Sequence, residues 1–514
     1  MTYSASALVS DILPRYKGVA NLFPWTSRKR PRPLGESHCI CIRASSASGE
    51  LTLSESLSAE LASWASSLEF QDLPSDIVDS TKLRVLDTIG LALAGAETDF
   101  GRAVRTAAIT MSPPGACRIV GSGDRVGITA AAFANGACAQ ALEYDDTHNE
   151  SIVHMSSPAV AATLGLAEII DLTGEDFITA VALGNEISCR VGSVSPGQFH
   201  RRGFHPTGLF ATFGVAYLAS WVLQLDLPAT TRAAGMSGSF ASGLLECWVD
   251  GTQSKFLHAG WAAQSGIVAA FLARAHATGP AEVFEGRFGL FASHLQDPKA
   301  PRDFTRITAE LGTRWESRNS SFKPFPAAHV LHPYIDAALR LKRQHGLKAA
   351  DIAQIDCPVA GFIVPIVCEP TTEKLAPASD SHGRVSLQYT LAEALFRGEL
   401  GKSAYSVETL QNPDVLELAR RVHYHVDPAF PGPGRFKGAV HITLRDGRSL
   451  VEVEEYNRGS AENPMSRAEL RAKFDENASG FLSPARRDRL ASEIDKLEQL
   501  PDASGLAELA VRGQ

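Results

Sequence analysis

Apolar positions first recur at helical spacing just after residue 70, and the folded part of the chain is predicted to begin near Leu53. Pro74-Ser75-Asp76 is a helix-start signal, because the Ser75 hydroxyl can accept from free N–H groups of a first turn. Val78, Val85, Leu86, Ile89 and Leu93 then fall on one helical face, and Gly95 is the expected stop. Further helices are predicted over 128–142, 158–170, 177–191, 208–223 and 255–277. These segments are rich in Ala, Gly and Ser, and small residues let helices approach closely. No strands separate them, which argues against an α/β fold with a parallel sheet. After about residue 318 the pattern changes. β-type runs occupy 352–359, 362–367, 421–426 and 439–444, and Arg445-Asp446-Gly447-Arg448 then joins the last of these to 449–453 as a hairpin. Helices over 332–344 and 387–396 accompany them. From Ser466 the chain returns to charged amphipathic helix, so the layout is helical, then α+β, then helical, and the fold class is mainly α.

Composition narrows the function. A chain of 514 residues exceeds one simple core, so two or more domains are expected. A net charge of -8 and a pI near 6.0 oppose a nucleic-acid surface, while a few lysines in one pocket still permit a small anionic substrate. The 8 cysteines form no CxxC pair, which disfavours a zinc finger or an iron–sulfur cluster; buried thiols in a reducing compartment are expected. No run reaches the roughly 20 apolar residues of a membrane span, and the most apolar, Leu209 to Leu223, reads as a buried helix. Residues 1–52 carry Arg15, Lys17, Arg28, Lys29, Arg30, Arg32 and Arg43 against Asp11, Glu36 and Glu50. That stretch reads as a disordered tail, a mis-assigned start or a transit peptide. Cytoplasmic placement is expected, with mitochondrial import as the alternative.

Four clusters combine ionisable and small or aromatic residues: Glu143-Tyr144-Asp145-Asp146-Thr147-His148 with His154; His205 before Pro206; Asp250 to Lys255 with His258; and Lys323 between Phe322 and Pro324, with His329 and His332 behind. Each has a plain structural alternative. Asp145 and Asp146 can cap the next helix, His205 can be a satisfied core histidine, and Lys255 can be a solvated lysine. A lysine at a helix start nevertheless sits badly against the macrodipole unless an anion is there too. Lys323 occupies an apolar setting that a charge avoids without a partner. Asp145, Asp146, His148 and His154 could ligate a metal, but they make no HExxH-like set. GxxxxGK[ST], GxSxG and strand-linked GxGxxG are absent, so phosphoryl transfer, serine hydrolysis and hydride transfer lose support. Histidines, lysines and a tyrosine remain, a set suited to proton chemistry beside carboxylates: β-elimination of water, or loss of carbon dioxide.

The stretches LRVLDTIGLALAG, ALEYDDTHNESIVHMSSPAV, RRGFHPTG, DGTQSKFLHAGWAAQSGIVAAFLA, FEGRFGLF, SFKPFPAAHVLHPYIDAAL and SLQYTLAEAL occur in the order of the MmgE/PrpD family. From about residue 55 to 505 the chain resembles that family, whose members include 2-methylcitrate dehydratase and cis-aconitate decarboxylase. The resemblance implies a large all-helical domain built from residues 53–318 and 456–514, a smaller α+β lid over 319–455, and a homodimer. It also implies a site with Glu143 and Thr147 binding substrate, Lys255 and Lys323 gripping carboxylates, His154 transferring the proton, His205 assisting it, and Tyr389 completing the pocket. Glu143 stands where the family often has Asp, Ala327 and Ala328 where it often has cysteines, and His-Met-Ser-Ser-Pro where many relatives have His-Pro-Ser. The expected activity is a cofactor-independent, metal-independent lyase that dehydrates a citrate-like hydroxy acid such as methylcitrate or an alkylcitrate. Decarboxylation of an aconitate-like acid is the competing reaction. A carboxylate-binding or assembly protein without catalysis, and a metal-dependent hydrolase on the Asp145/His154 loop, are the alternatives of other classes. Neither nucleic acid nor membrane is an expected partner.

Overall fold

The computed structural model describes residues 56–512; the basic stretch 1–52, with Cys39 and Cys41, lies outside them. Before residue 318 the described residues form nine main helices, six of them predicted by the apolar periodicity: α1 (Leu57–Ser67), α2 (Ser75–Ala96), α3 (Asp99–Met111), α4 (Ile128–Gln140), α5 (Ser156–Ala167), α6 (Gly174–Gly192), α7 (Pro206–Val222), α8 (Leu227–Phe240) and α9 (Leu257–Arg274). Every residue of α5 and of α7 is buried, as an all-round apolar helix requires. Two signals act otherwise than predicted. Ser75 is the first residue of α2 and makes no cap, because the Pro74 carbonyl already accepts from Ile77 and Val78 at 2.9 and 3.0 Å. Gly95 lies inside α2, where a Cβ would fall 1.9 Å from the Cys138 carbonyl of α4, so its role is close approach of two helices. Helices α1, α3 and α8, which the hydrophobic pattern did not predict, start at side-chain caps from Ser56, Thr98 and Asp226.

The helical part also carries short strands: β1 (Pro114–Arg118) pairs with β2 (Arg125–Val126), and β3 (Thr147–His148) with β4 (Ser320–Ser321). Such short ladders are too brief to leave an alternation in the sequence. The stretch Ser254–Arg274, which contains α9, is long and apolar enough by composition to cross a membrane, contrary to the expectation that no run qualifies. In this fold Ala259, Ala262, Ala263, Ile267, Ala270 and Ala273 of α9 are buried as core side chains.

In the second part, α10 (His332–His345) and α11 (Leu387–Arg397) accompany a sheet of β5 (Ile352–Val359), β6 (Val422–Val426), β7 (Gly438–Leu444) and β8 (Ser449–Glu454), in the order β6-β5-β7-β8. Strands β5 and β6 are parallel; β7 is antiparallel to both β5 and β8. The β7–β8 hairpin turns through Asp446-Gly447, with Gly447 at φ +89°. The predicted strand over 362–367 is instead a 3₁₀ turn, Gly361–Ile363, and a single π turn, Val364–Cys368. Pro365 falls at the second position of the π turn, where its missing N–H forfeits no ladder hydrogen bond. After the sheet the chain forms α12 (Arg467–Ala478) and α13 (Pro484–Asp495). One hydrophobic cluster joins residues 61–315 with 474–510, and a second occupies 325–444.

Candidate active site

Helix α4 ends at Gln140, and the chain then bends so that Glu143 takes a left-handed φ of +53°. A non-glycine residue adopts that conformation only when its surroundings hold it. Here they do. The buried Lys323 ammonium donates to the Glu143 carbonyl at 2.9 Å and to its carboxylate at 3.3 Å, and Arg384 donates to the Leu142 carbonyl at 2.9 Å. From the other side, Lys473 of α12 donates to the Tyr144 carbonyl at 2.9 Å, pairs with Asp87 at 2.8 Å, and sits over the Tyr144 ring. Helix α12 therefore pins a loop that is more than 300 residues away in sequence.

The loop and its neighbours line a cavity with Glu143, Thr147, His154, His205 and Lys255. Lys255 precedes α9 and ion-pairs with the Glu143 carboxylate, so the anion that its position called for is supplied by the protein itself. Burial opposes ionisation of Glu143, but Lys255, Lys323 and His154 overcome it and hold the carboxyl well below its usual range. Burial pulls the Lys323 ammonium down, and Glu143 and Asp145 counter it.

His154 is oriented by acceptors. Its Nδ1 lies 3.0 Å from the Asp146 carbonyl, 3.2 Å from the Asp145 carboxylate and 3.3 Å from the Thr147 hydroxyl. A carbonyl and a carboxylate can only accept, so Nδ1 carries hydrogen and Nε2 is the atom free to exchange a proton. Nε2 points toward Glu143, 3.9 Å from its Oε1. The Thr207 hydroxyl accepts from the His154 N–H at 3.0 Å and lies 3.3 Å from His205 Nε2, tying the two histidines together. His205 Nδ1 shares a 2.9 Å hydrogen bond with His258 Nδ1, so one ring nitrogen donates and the other accepts, and the two rings cannot both be charged. Burial, reinforced by Lys255, His258 and His154, pushes His205 well below the usual histidine range and keeps it neutral near pH 7.

Not every expected residue reaches the cavity. Lys323 is fully buried behind Glu143 and acts on it from beneath. Tyr389 does not line the cavity at all: its hydroxyl donates to the Ala404 carbonyl at 2.8 Å within the core of the second part. A tyrosine with a satisfied backbone partner inside an apolar core has no free hydroxyl to offer. The metal alternative meets occupied side chains. Asp146 pairs with Arg84 and accepts from the Ser156 N–H at 3.2 Å, capping α5; Asp145 accepts from the Ser157 hydroxyl at 2.8 Å; His148 binds the Ser151 hydroxyl at 2.7 Å. Among the described residues no group of three or more His, Cys, Asp or Glu side chains is arranged to hold a metal ion.

Sequence reasoning undervalued three groups at this site. His329 lines the cavity and accepts from the Asn457 amide at 2.8 Å through Nε2, which leaves Nδ1–H without a protein partner. Trp248 also lines the cavity, and its buried indole N–H has no hydrogen-bond partner among the described residues. Lys374 is buried and donates to the carbonyls of Ile366 and Val385, both of which line the cavity, at 3.0 and 2.8 Å; burial brings its ammonium down to about 8. His329 had been marked only as lying behind Lys323. Nothing in the spacing of Trp248 or Lys374 singles them out.

The MmgE/PrpD N-terminal domain matches residues 59–303, and the MmgE/PrpD C-terminal domain matches residues 325–499. The chain is similar to cis-aconitate decarboxylase of Aspergillus terreus, 27% identical over 482 residues that cover 88% of this chain and 95% of the relative. It is 26% identical to the cis-aconitate decarboxylase-like protein oryM of Aspergillus oryzae, covering 88% and 97%, and 26% identical to cis-aconitate decarboxylase of Mus musculus, covering 88% and 93%.

Proposed function

The chain belongs to the MmgE/PrpD family, and from that premise we propose a lyase that releases carbon dioxide from an aconitate-like polycarboxylate without a cofactor. The observation that supports this reading is the convergence of Lys255, His154 and Glu143 on one cavity. In such a site Lys255 holds a substrate carboxylate. The bond between a second carboxylate and the carbon next to the double bond breaks, and carbon dioxide leaves. The electron pair stays on carbon, delocalised through the double bond toward the held carboxylate, where the lysine charge stabilises it. Protonation of that carbanion by His154 Nε2–H completes the product. Similarity to cis-aconitate decarboxylases along nearly the whole chain favours this reaction over dehydration of a citrate. Dehydration stands as the second reading because His205 is held neutral and can accept a proton, which elimination of water requires.

Incubation of chelator-treated protein with cis-aconitate, citrate and 2-methylcitrate, followed by mass spectrometry, separates the two. Loss of carbon dioxide from aconitate is expected. Loss of water from a citrate with aconitate untouched would replace the first reading by the second.

A further inference from the structure

At the polar end of the cavity the fixed charges already cancel. Lys255 and Lys323 pair with Glu143, and the Asp145 carboxylate stands 3.2 Å from His154 Nδ1. Arg384 faces the same loop through the Leu142 carbonyl, while burial holds the cavity rings of His200, His205 and His329 neutral. Lys255 is the one lysine or arginine among the described residues that line the cavity, so an entering carboxylate pairs with it only by taking it from Glu143. The glutamate is 5% exposed and cannot turn to water for compensation. It would keep Lys323 at 3.3 Å but stand beside a second carboxylate, and two like charges that share a buried site do not both stay ionised. One proton acceptor is in reach. His154 Nε2, the atom that gives its hydrogen to the carbanion, lies 3.9 Å from Glu143 Oε1.

Resting on the decarboxylation reading above, we propose that Glu143 is a proton carrier: a substrate carboxylate displaces it from Lys255, and it takes up a proton as the substrate binds. Loss of carbon dioxide from a carboxylate anion consumes a proton in every turnover, because the carbanion removes the Nε2–H of His154. The Glu143 carboxyl then passes its proton to His154 Nε2 and returns to carboxylate, which recovers Lys255 as the product leaves. Water supplies the proton on entry, the product carries it away on carbon, and no group is left changed. The strained φ of +53° fits this role, since from that position the side chain reaches Lys255 on one side and His154 on the other.

The test counts protons by calorimetry. The full chain is titrated with tricarballylate, a saturated tricarboxylate with no double bond to accept the electron pair, in two buffers of different ionisation enthalpy. The titration is run at about pH 8, well above the range of the ligand's carboxyls. The wild type is expected to take up about one proton more per molecule bound than Glu143→Gln. Glu143→Asp, shorter but still titratable, should match the wild type. The count is made per molecule bound, so it does not depend on the fraction of protein folded. Cis-aconitate titrated into the His154→Gln protein should also bind with an uptake of about one proton, which assigns the uptake to a group other than His154. Equal uptake in the wild type and Glu143→Gln, or none in His154→Gln, overturns the carrier role and leaves the lyase reading standing. Failure of the chain to bind either acid overturns both.

Discussion

Glu143, His154 and Lys255 on one side of the cavity are each fixed by charged or hydrogen-bonded partners from distant elements, whereas Phe362, Ile366 and Phe436 on the other are fixed by packing and by one backbone clamp. The polar side comes mainly from the helical part and holds a left-handed glutamate and several buried charges. Such groups are retained only where neighbours satisfy them, so this side is rigid and intolerant of change. The apolar side comes mainly from the sheet-containing part, where one hydrophobic residue can replace another at modest loss. Buried charge is thereby placed where geometry is overdetermined, and hydrocarbon where it is adjustable.

The sharpest way to break this contrast is His154→Gln, which keeps a hydrogen-bonding side chain but cannot exchange a proton. Steady-state turnover per folded molecule should fall by about 10²–10⁴, and a loss of less than tenfold would remove His154 from proton transfer. Lys323→Met strands Glu143 in a buried site, and chemical denaturation should show a loss of about 3–5 kcal/mol. A cost below 1 kcal/mol would mean that Lys255 alone suffices to hold Glu143.

Acid should weaken the molecule through its histidines. Burial lowers His205, His329 and His332 from the usual 6.5, so below pH 6.5 the unfolded chain binds protons that the folded chain refuses. Their contribution is intact above pH 6.5 and is lost as the pH falls, by about 1.4 kcal/mol per pH unit for each group. Asp87 and Glu393 work in the opposite sense: burial pushes each up to about 6, so between about pH 4 and 6 the folded chain holds extra protons there. The three histidines outweigh these two carboxyls, and thermal scans should give a lower midpoint at pH 5.5 than at pH 7; a flat profile would contradict the burial of these rings.

On the apolar side, Lys374→Met leaves the Ile366 and Val385 carbonyls short of a donor and should cost about 1–3 kcal/mol in denaturant. A cost below about 0.5 kcal/mol would show that other donors or water satisfy these carbonyls. The smallest effect belongs to Tyr389→Phe, which removes one hydrogen bond to Ala404 and about 1 kcal/mol while leaving turnover within about twofold. A hundredfold loss of turnover would bring Tyr389 back into the site.

Periodicity alone determined that this chain is mainly helical, where most of its helices run, and where Asp446-Gly447 turns a hairpin, because these features depend on neighbours a few residues apart. The family resemblance brought Glu143, Thr147, His154, His205 and Lys255 forward as a set, and all five line one cavity. What tertiary structure alone decided depends on contacts between residues far apart in the chain. It put Lys323 beneath Glu143 and out of the cavity lining, turned the Tyr389 hydroxyl into the core, made Gly95 a helix contact, and folded 362–367 into turns. It also brought Trp248 and His329 to the cavity and set Lys374 behind it, on the Ile366 and Val385 carbonyls. A hydrogen-bond partner hundreds of residues away leaves no periodic trace, and the direction of a buried side chain is set by the space its neighbours leave.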